Sequence, residues 1–313
     1  MNRKSFLSVL KSTCQAKTGD VFRMAKDRGF SLRSIGKAKQ KRIYAFRPGL
    51  LPTSPLVVCH ADTVVNGGDG PHEFAYDKPS DTVTSIALDD RLGIACMFYA
   101  IDNKTPISDC AMLICDDEEI GHSSAQVFQE KIKPNFLIEL DRRGVDVVCY
   151  EYDSTLLRSL LKSCDFTIGN GSFSDICYLQ SLGVVGFNVG IGYHNEHSTK
   201  CHAKLSDTDS QIARLLRFIA KFGDVRLDYD EYGVSDDDGY DSWWRTSTKS
   251  ATTSRSKAPT ALRTATEFCD ACQFPIQPSE PLAVIQGFIY CQDCDKAYNQ
   301  HPDCLNVDDF TTF

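Results

Sequence analysis

The stretch Leu56-Val57-Val58-Cys59-His60-Ala61-Asp62-Thr63 constrains this chain more than any other. Its apolar, β-branched opening has the length of a buried strand, and turn-forming residues bound it on both sides. Side chains repeat every two residues along a strand, so His60 and Asp62 emerge on one side at its end. A histidine at the end of a sheet strand, with a carboxylate two positions on, suits a metal ligand and the group that orients its ring.

The rest of residues 1–228 continues a strand–helix rhythm. Residues 3–17 read as a short amphipathic helix with Phe6, Leu7, Leu10 and Cys14 on one face, and Arg42 to Phe46 as a strand. Asp90 to Asp102 reads as a helix with an apolar face of Ile94, Met97, Phe98 and Ile101. Strands are predicted at 110–115, 136–140, 146–151 and 184–189, and helices at 122–130, 154–163, 174–182 and 206–222. Residues 66–82 read as a loop rich in Gly, Asp and Pro. This is the pattern of a sheet covered by helices on both faces. The expected fold is α/β, a three-layer αβα arrangement with a mixed, mostly parallel central sheet, plus a small zinc-ribbon-like module.

The pattern stops near Asp228. Residues 228–241 hold seven acids, residues 245–263 hold five bases and no acid, and neither half has a period that would bury a face. The stretch 229–266 therefore reads as a flexible, charge-segregated linker, in which the adjacent Trp243 and Trp244 are unusual. Beyond it, within 267–313, Cys269 and Cys272 stand eighteen residues before Cys291 and Cys294. Two Cys-x-x-Cys pairs at this spacing point to one tetrahedral structural zinc. So small a segment buries too little to fold without such a staple.

Composition excludes some classes. Hydrophobic residues are 42% of the 313, enough for a substantial core, and the net charge is -8. Residues 1–47 carry 13 Lys/Arg against 2 Asp/Glu. No apolar run approaches the roughly 18 residues of a membrane span. Fourteen cysteines, with no charged-then-apolar signal stretch at the N-terminus, suggest a reducing compartment, and the expected location is cytoplasmic. Residues 268–313 contain Lys296 alone as a base, so a protein partner suits the module better than nucleic acid, whose backbone is held by basic contacts.

Further candidate ligands follow His60 in order. Asp89 lies in Leu88-Asp89-Asp90-Arg91-Leu92-Gly93, and Glu118 and Glu119 follow the strand at 110–115. Asp141 ends the strand at 136–140, and His197 follows the strand at 184–189. Each lies just past a strand's C-terminal end, where an open α/β sheet places functional groups. Two histidines, three carboxylates and an extra glutamate suit a pair of zinc-like ions and a proton carrier.

These motifs, His60-Ala61-Asp62, Leu88 to Gly93, Asp117-Glu118-Glu119-Ile120-Gly121, Leu140-Asp141 and His197-Ser198, together resemble the co-catalytic di-zinc exopeptidase superfamily of aminopeptidases, carboxypeptidases, dipeptidases and deacylases. The resemblance spans roughly residues 56–200. It implies one zinc on His60, Asp89 and Asp141 and another on Asp89, Glu119 and His197, with Asp62 orienting His60 and Glu118 as general base. Only 28 residues lie between His60 and Asp89, and 55 between Asp141 and His197, so no domain is inserted at either place. A donor for the developing oxyanion, normally supplied by an inserted domain, must then come from elsewhere, and Tyr193, His194 and Arg142 are candidates. The chain departs from the family at Lys200, where an acid is usual, and at Arg142-Arg143. Asp175 resembles a segment near the substrate in relatives, but Ser172 or Ser174 capping a helix there explains the segment equally well. His72 and His202 are expected at the surface, and Cys59, Cys96, Cys115 and Cys149 in the core.

The expected activity is hydrolysis of an amide bond by metal-activated water, as an aminopeptidase-like exopeptidase acting on peptides. An N-acyl-amino-acid deacylase is the alternative within the same chemistry. A non-catalytic binding protein that engages a protein or nucleic acid through the zinc module is the alternative of another class.

Overall fold

The computed structural model describes residues 1–36, 41–63 and 72–229, and beyond them only the backbone of four short strands between Glu267 and Cys291. The chain divides into two units, Met1–Tyr229 and Asp230–Phe313. In the second, Glu267–Phe268 pairs antiparallel with Pro275–Ile276, and Leu282–Ile285 with Phe288–Cys291. The expected linker, Trp243, Trp244 and the metal-binding side chains of Cys269, Cys272, Cys291 and Cys294 lie outside the described residues.

The first unit is built on an eight-stranded sheet. Its strands are β1 (Ser31–Ile35), β2 (Arg42–Arg47), β3 (Leu56–His60), β6 (Ala111–Cys115), β7 (Leu137–Arg142), β8 (Asp146–Val148), β9 (Thr167–Ile168) and β10 (Gly186–Gly190). Their order is β1-β2-β6-β3-β7-β10-β8-β9. The centre, β6-β3-β7-β10, is parallel, while β2 joins β6 and β8 joins β10 antiparallel. Every residue of β3, β6 and β10 is buried, as expected of strands covered on both faces.

Helix α3 (Leu88–Asp102) is buried on all sides from Leu88 to Ala100. Its sequence suggests a one-sided apolar stripe, but it is enclosed between the sheet and α1 (Arg3–Gln15), so no face is left for water. Gly93 makes its approach to β7 possible, since a Cβ there would stand 1.9 Å from the Leu140 carbonyl oxygen. Alternation along β10 shows the two covered faces. Phe187 meets Phe218 of α5 (Leu205–Phe222), with ring centroids 4.9 Å apart, while Asn188 turns the other way toward Ser174.

Several elements differ from expectation. A second helix, α2 (Thr18–Asp27), follows α1, and β1 precedes β2, in a region that reads as merely basic. Residues 122–130 form only a 3-10 turn, Ser124–Val127, because the Ser124 N–H and hydroxyl are both bonded to the Asp116 backbone. Residues 175–182 are a 3-10 helix, and Ser174 at its start makes no capping bond. Helix α4 (Thr155–Lys162) begins as expected, with Ser154 accepting the Leu157 N–H. A small antiparallel sheet joins β4 (Ala75–Asp77), within the expected loop, and β5 (Thr82–Thr84), at its end, to β11 (Tyr193–His194) and β12 (His202–Lys204). His72 is buried, not at the surface. Cys59, Cys96, Cys115 and Cys149 lie in the core. Among the described residues no helix is long and apolar enough to cross a membrane.

Candidate metal centre

Three parallel strands end side by side and deliver the site. In register, His60 of β3 lies beside Cys115 of β6, and Val58 beside Glu139 of β7. His60 thus emerges beside the Asp116–Glu119 loop after β6 and beside Asp141 at the end of β7. The loop after β10 returns His197 over the same edge.

The distances show which groups meet. His60 Nε2 is 3.0 Å from Asp141 Oδ1, and His60 Nδ1 is 3.3 Å from Asp62 Oδ1. His197 Nε2 is 3.0 Å from Glu119 Oε1 and 3.8 Å from Asp89 Oδ2, which also accepts the His197 N–H at 2.7 Å. The Asp89, Glu119 and His197 ligand atoms all lie within 4.8 Å of one another. A second group, His60, Asp90 and Glu119, meets the same limit. Asp90 has no role in the sequence reading, yet its Oδ1 stands 3.8 Å from His60 Nε2. Asp89 and Asp90 share the first turn of α3, whose rotation of about 100° per residue sends one carboxylate toward His197 and the other toward His60.

Electrostatics make this cluster cation-seeking. Asp89, Asp90 and His60 are at most 3% exposed, and neither oxygen of Asp90 has a hydrogen-bond donor. Burial, then the neighbouring Asp89 charge, pushes the Asp90 carboxyl well above the usual carboxylate range. For His60, burial opposes protonation, but Asp141 and Asp62 outweigh it and hold the imidazole well above its ordinary value. Arg91, fully buried beside Asp90, supplies part of the counter-charge. A buried, unpaired carboxylate costs several kcal/mol, so converging acids of this kind suit a bound cation. The donors are imidazole nitrogens and carboxylate oxygens with no sulfur, which suits zinc or a similar divalent ion.

Asp62 holds the other half of the arrangement, accepting the N–H groups of Glu118 and Glu119 at 3.2 and 3.0 Å. Glu118 lines a cleft of about 520 Å³ together with Asp89, Glu119, Asp141, Tyr150 and His197. Burial pushes its carboxyl up to about 8. Asp175 lies fully buried below the cleft, where its N–H bonds Glu139 Oε1 at 3.2 Å, and burial raises its carboxyl to about 6. Of the seven non-glycine residues with positive φ among the described residues, Asp117, Tyr150, Asn195 and His197 border this site, the pattern of backbone strain held at a functional centre.

Of the three expected oxyanion donors, Tyr193 gives its proton to the Asp141 carbonyl at 2.8 Å and His194 does not line the cleft, while Arg142 lines it with Nε and Nη2 bidentate to Asp146. Sequence reasoning missed Asn188 and Tyr150. Asn188, a lone amide in an otherwise apolar strand, accepts the Asp141 N–H at 3.1 Å.

Comparisons with known proteins bear on the fold and on one segment of the chain. Residues 72–151 match the family described as M42 glutamyl aminopeptidase. The fold is similar to that of a tripeptidase from Staphylococcus aureus subsp. aureus Mu50, at TM-score 0.54 and 10% identity over 70% of this chain and 98% of that one. It is similar also to the aminopeptidase PepT of Bacillus cereus ATCC 10987, at TM-score 0.53 and 12% identity over 70% and 98%. A third similar structure is the aminopeptidase APDkam598 of the archaeon Desulfurococcus kamchatkensis, at TM-score 0.53 and 13% identity over 72% and 96%. Comparison with curated proteins gives no match. The fold and the matched segment are together those of a metallopeptidase.

Proposed function

We propose that residues 1–229 are a two-metal exopeptidase that removes residues from the amino end of peptides. The observation that carries this reading is the meeting of Asp89, Glu119 and His197 within 4.8 Å beside the 3.0 Å His60–Asp141 pair, at the edge of one cleft. Asp89, Glu119 and His197 would hold one zinc-like ion. His60 and Asp141 would hold the other, with the Asp89–Asp90 turn between the two sites. Such ions, when bound, polarise an amide carbonyl and lower the pKa of water toward about 7.

The chain's own residues complete the chemistry. Glu118, held through its backbone by Asp62, takes the proton from the attacking water and delivers it to the leaving amine. Asp62 fixes the His60 ring through Nδ1, leaving Nε2 toward the cleft. The cleft is lined by five carboxylates, Asp89, Glu118, Glu119, Asp141 and Glu196, against two guanidinium groups, Arg142 and Arg143, of which Arg143 pairs with Glu196, and this excess of acid suits the ammonium of a free peptide amino terminus. Nine free cysteines among the described residues suit a reducing, cytoplasmic setting. The C-terminal cysteines Cys269, Cys272, Cys291 and Cys294 are assigned by their spacing to a separate structural zinc in a module that engages a protein partner.

The test is metal analysis together with a panel of unblocked peptides, aminoacyl anilides and N-acyl amino acids. Metal-dependent release of the amino-terminal residue is expected. Cleavage restricted to N-acyl amino acids would shift the reading to a deacylase, and no cleavage with any divalent metal would leave the binding-protein reading.

A further inference from the structure

We infer that Tyr150 is a catalytic residue, donating its phenolic hydrogen bond to the oxygen that becomes negative when the scissile amide is attacked. The inference rests on the amide-hydrolase reading and names a donor for its oxyanion.

The hydrogen bonds around Asn188 fix the direction of the phenolic proton. Asn188 Oδ1 accepts the Asp141 N–H at 3.1 Å, and a main-chain N–H can only donate, so the amide orientation is set. Its Nδ2 must therefore donate, and it reaches Tyr150 Oη at 3.1 Å and Ser174 Oγ at 3.2 Å. Both hydroxyls accept from the same amide. The Ser174 hydroxyl, 2% exposed, is in hydrogen-bond contact with both Glu139 and Tyr150, either of which can take its proton, so the phenolic proton is left to give. Tyr150 lies on the wall of the cleft that holds Glu118, Asp141 and His197, where a substrate carbonyl would stand.

The phenol is also held rigidly, as electrostatic stabilisation of a transition state requires. Tyr150 has φ 48°, a left-handed conformation costly for a bulky side chain. Residue 171 is glycine where a Cβ would meet Tyr150 Cε1 at 3.1 Å and Val148 Cγ1 at 3.0 Å, so the loop packs tightly over the ring and a side chain there would push on it. Burial keeps the hydroxyl protonated throughout the working pH range. The other nearby phenol, Tyr193, has its one proton committed to Asp141.

The test uses the full-length, metal-loaded protein with Tyr150→Phe. The expected result is a fall in kcat of about 10²–10³-fold, the usual effect of deleting one preorganised donor, with KM changed less than about threefold. Metal content and thermal midpoint should match the wild type. An aminophosphonate that mimics the tetrahedral centre, titrated calorimetrically, should lose affinity in parallel, while the product amino acid binds as before. Gly171→Ala, which displaces the ring but keeps the hydroxyl, should show a smaller fall in kcat. A wild-type protein that hydrolyses no amide overturns the parent reading and this assignment with it. An active wild type whose Tyr150→Phe variant keeps its kcat and its phosphonate affinity overturns the assignment alone.

Discussion

Asp62 accepts the backbone N–H of Glu119 at 3.0 Å while its other oxygen stands 3.3 Å from His60 Nδ1. One carboxylate thus ties the ligand that ends β3 to the loop that follows β6. On the proposed assignment, this carboxylate orients both metal subsites at once.

Asp62→Ala should therefore weaken metal binding without unfolding the chain. Loss of a group that orients a ligand typically costs 10–100-fold in metal affinity. Competition with a chromogenic chelator would measure it, with circular dichroism to confirm the fold. An unchanged affinity would show that the strand and loop hold their ligands without this carboxylate.

Neighbouring glutamates should respond differently to the same change. Glu118→Gln should retain both core ions and lose roughly 10²–10⁴-fold in turnover, the range for removal of a positioned proton carrier. Glu119→Gln, which alters the partner of His197 at 3.0 Å, should lose metal as well. Elemental analysis of both variants beside their kinetics separates the roles, and equal metal loss in both would remove the base from Glu118.

Gly93→Ala tests the link between core packing and the site. The added methyl would stand 1.9 Å from the Leu140 carbonyl oxygen, so α3 must move away from β7. Overpacking of this kind costs about 1–3 kcal/mol, sometimes more. Helix α3 carries Asp89 and Asp90, while Leu140 precedes Asp141, so the same displacement should separate the carboxylates. A lower thermal midpoint together with weaker metal binding is expected. A lower midpoint with full metal affinity would show that the helix start is held independently of its packing.

How much of this was legible in the sequence depended on the range of the forces involved. The central strands were readable because burial on both faces selects continuous apolar runs, as at Leu56–Val58 and Met112–Ile114. Helix α5 was readable because Ile212, Leu215, Phe218 and Phe222 repeat at helical spacing. Strands β4, β5, β11 and β12 span two or three residues, too few to show a period. Segment 122–130 looked helical, but bonds to Asp116 from across the loop hold it as a turn. Within the site, residue types and their positions past strand ends pointed to His60, Asp89, Glu118, Glu119, Asp141 and His197. Asp90 carries no such signal, because only the three-dimensional turn of α3 brings it to His60. Asn188 did leave a signal, a polar residue in the apolar run Val184 to Val189.

The buried thiols make the fold sensitive to alkali. Burial pushes the Cys14, Cys110 and Cys149 thiols each up to about 12, from an ordinary value of 9.0. All three are at most 2% exposed. Below pH 9 the thiols are protonated in both the folded and the unfolded chain and contribute no pH dependence. Between pH 9 and 12 the unfolded chain releases protons that the folded chain keeps, so stability falls as pH rises. At pH 10.5 the loss is on the order of 2 kcal/mol for each fully buried thiol. The urea midpoint should therefore drop steeply from pH 8 to pH 10.5, and replacing Cys14, Cys110 and Cys149 together by alanine should flatten that drop. At pH 8 the folded protein should also shield these thiols from a disulfide reagent that reacts with them at once in denaturant. Rapid reaction in the native state, or an alkaline drop unaltered in the triple variant, would show that these thiols are not held protonated by the core.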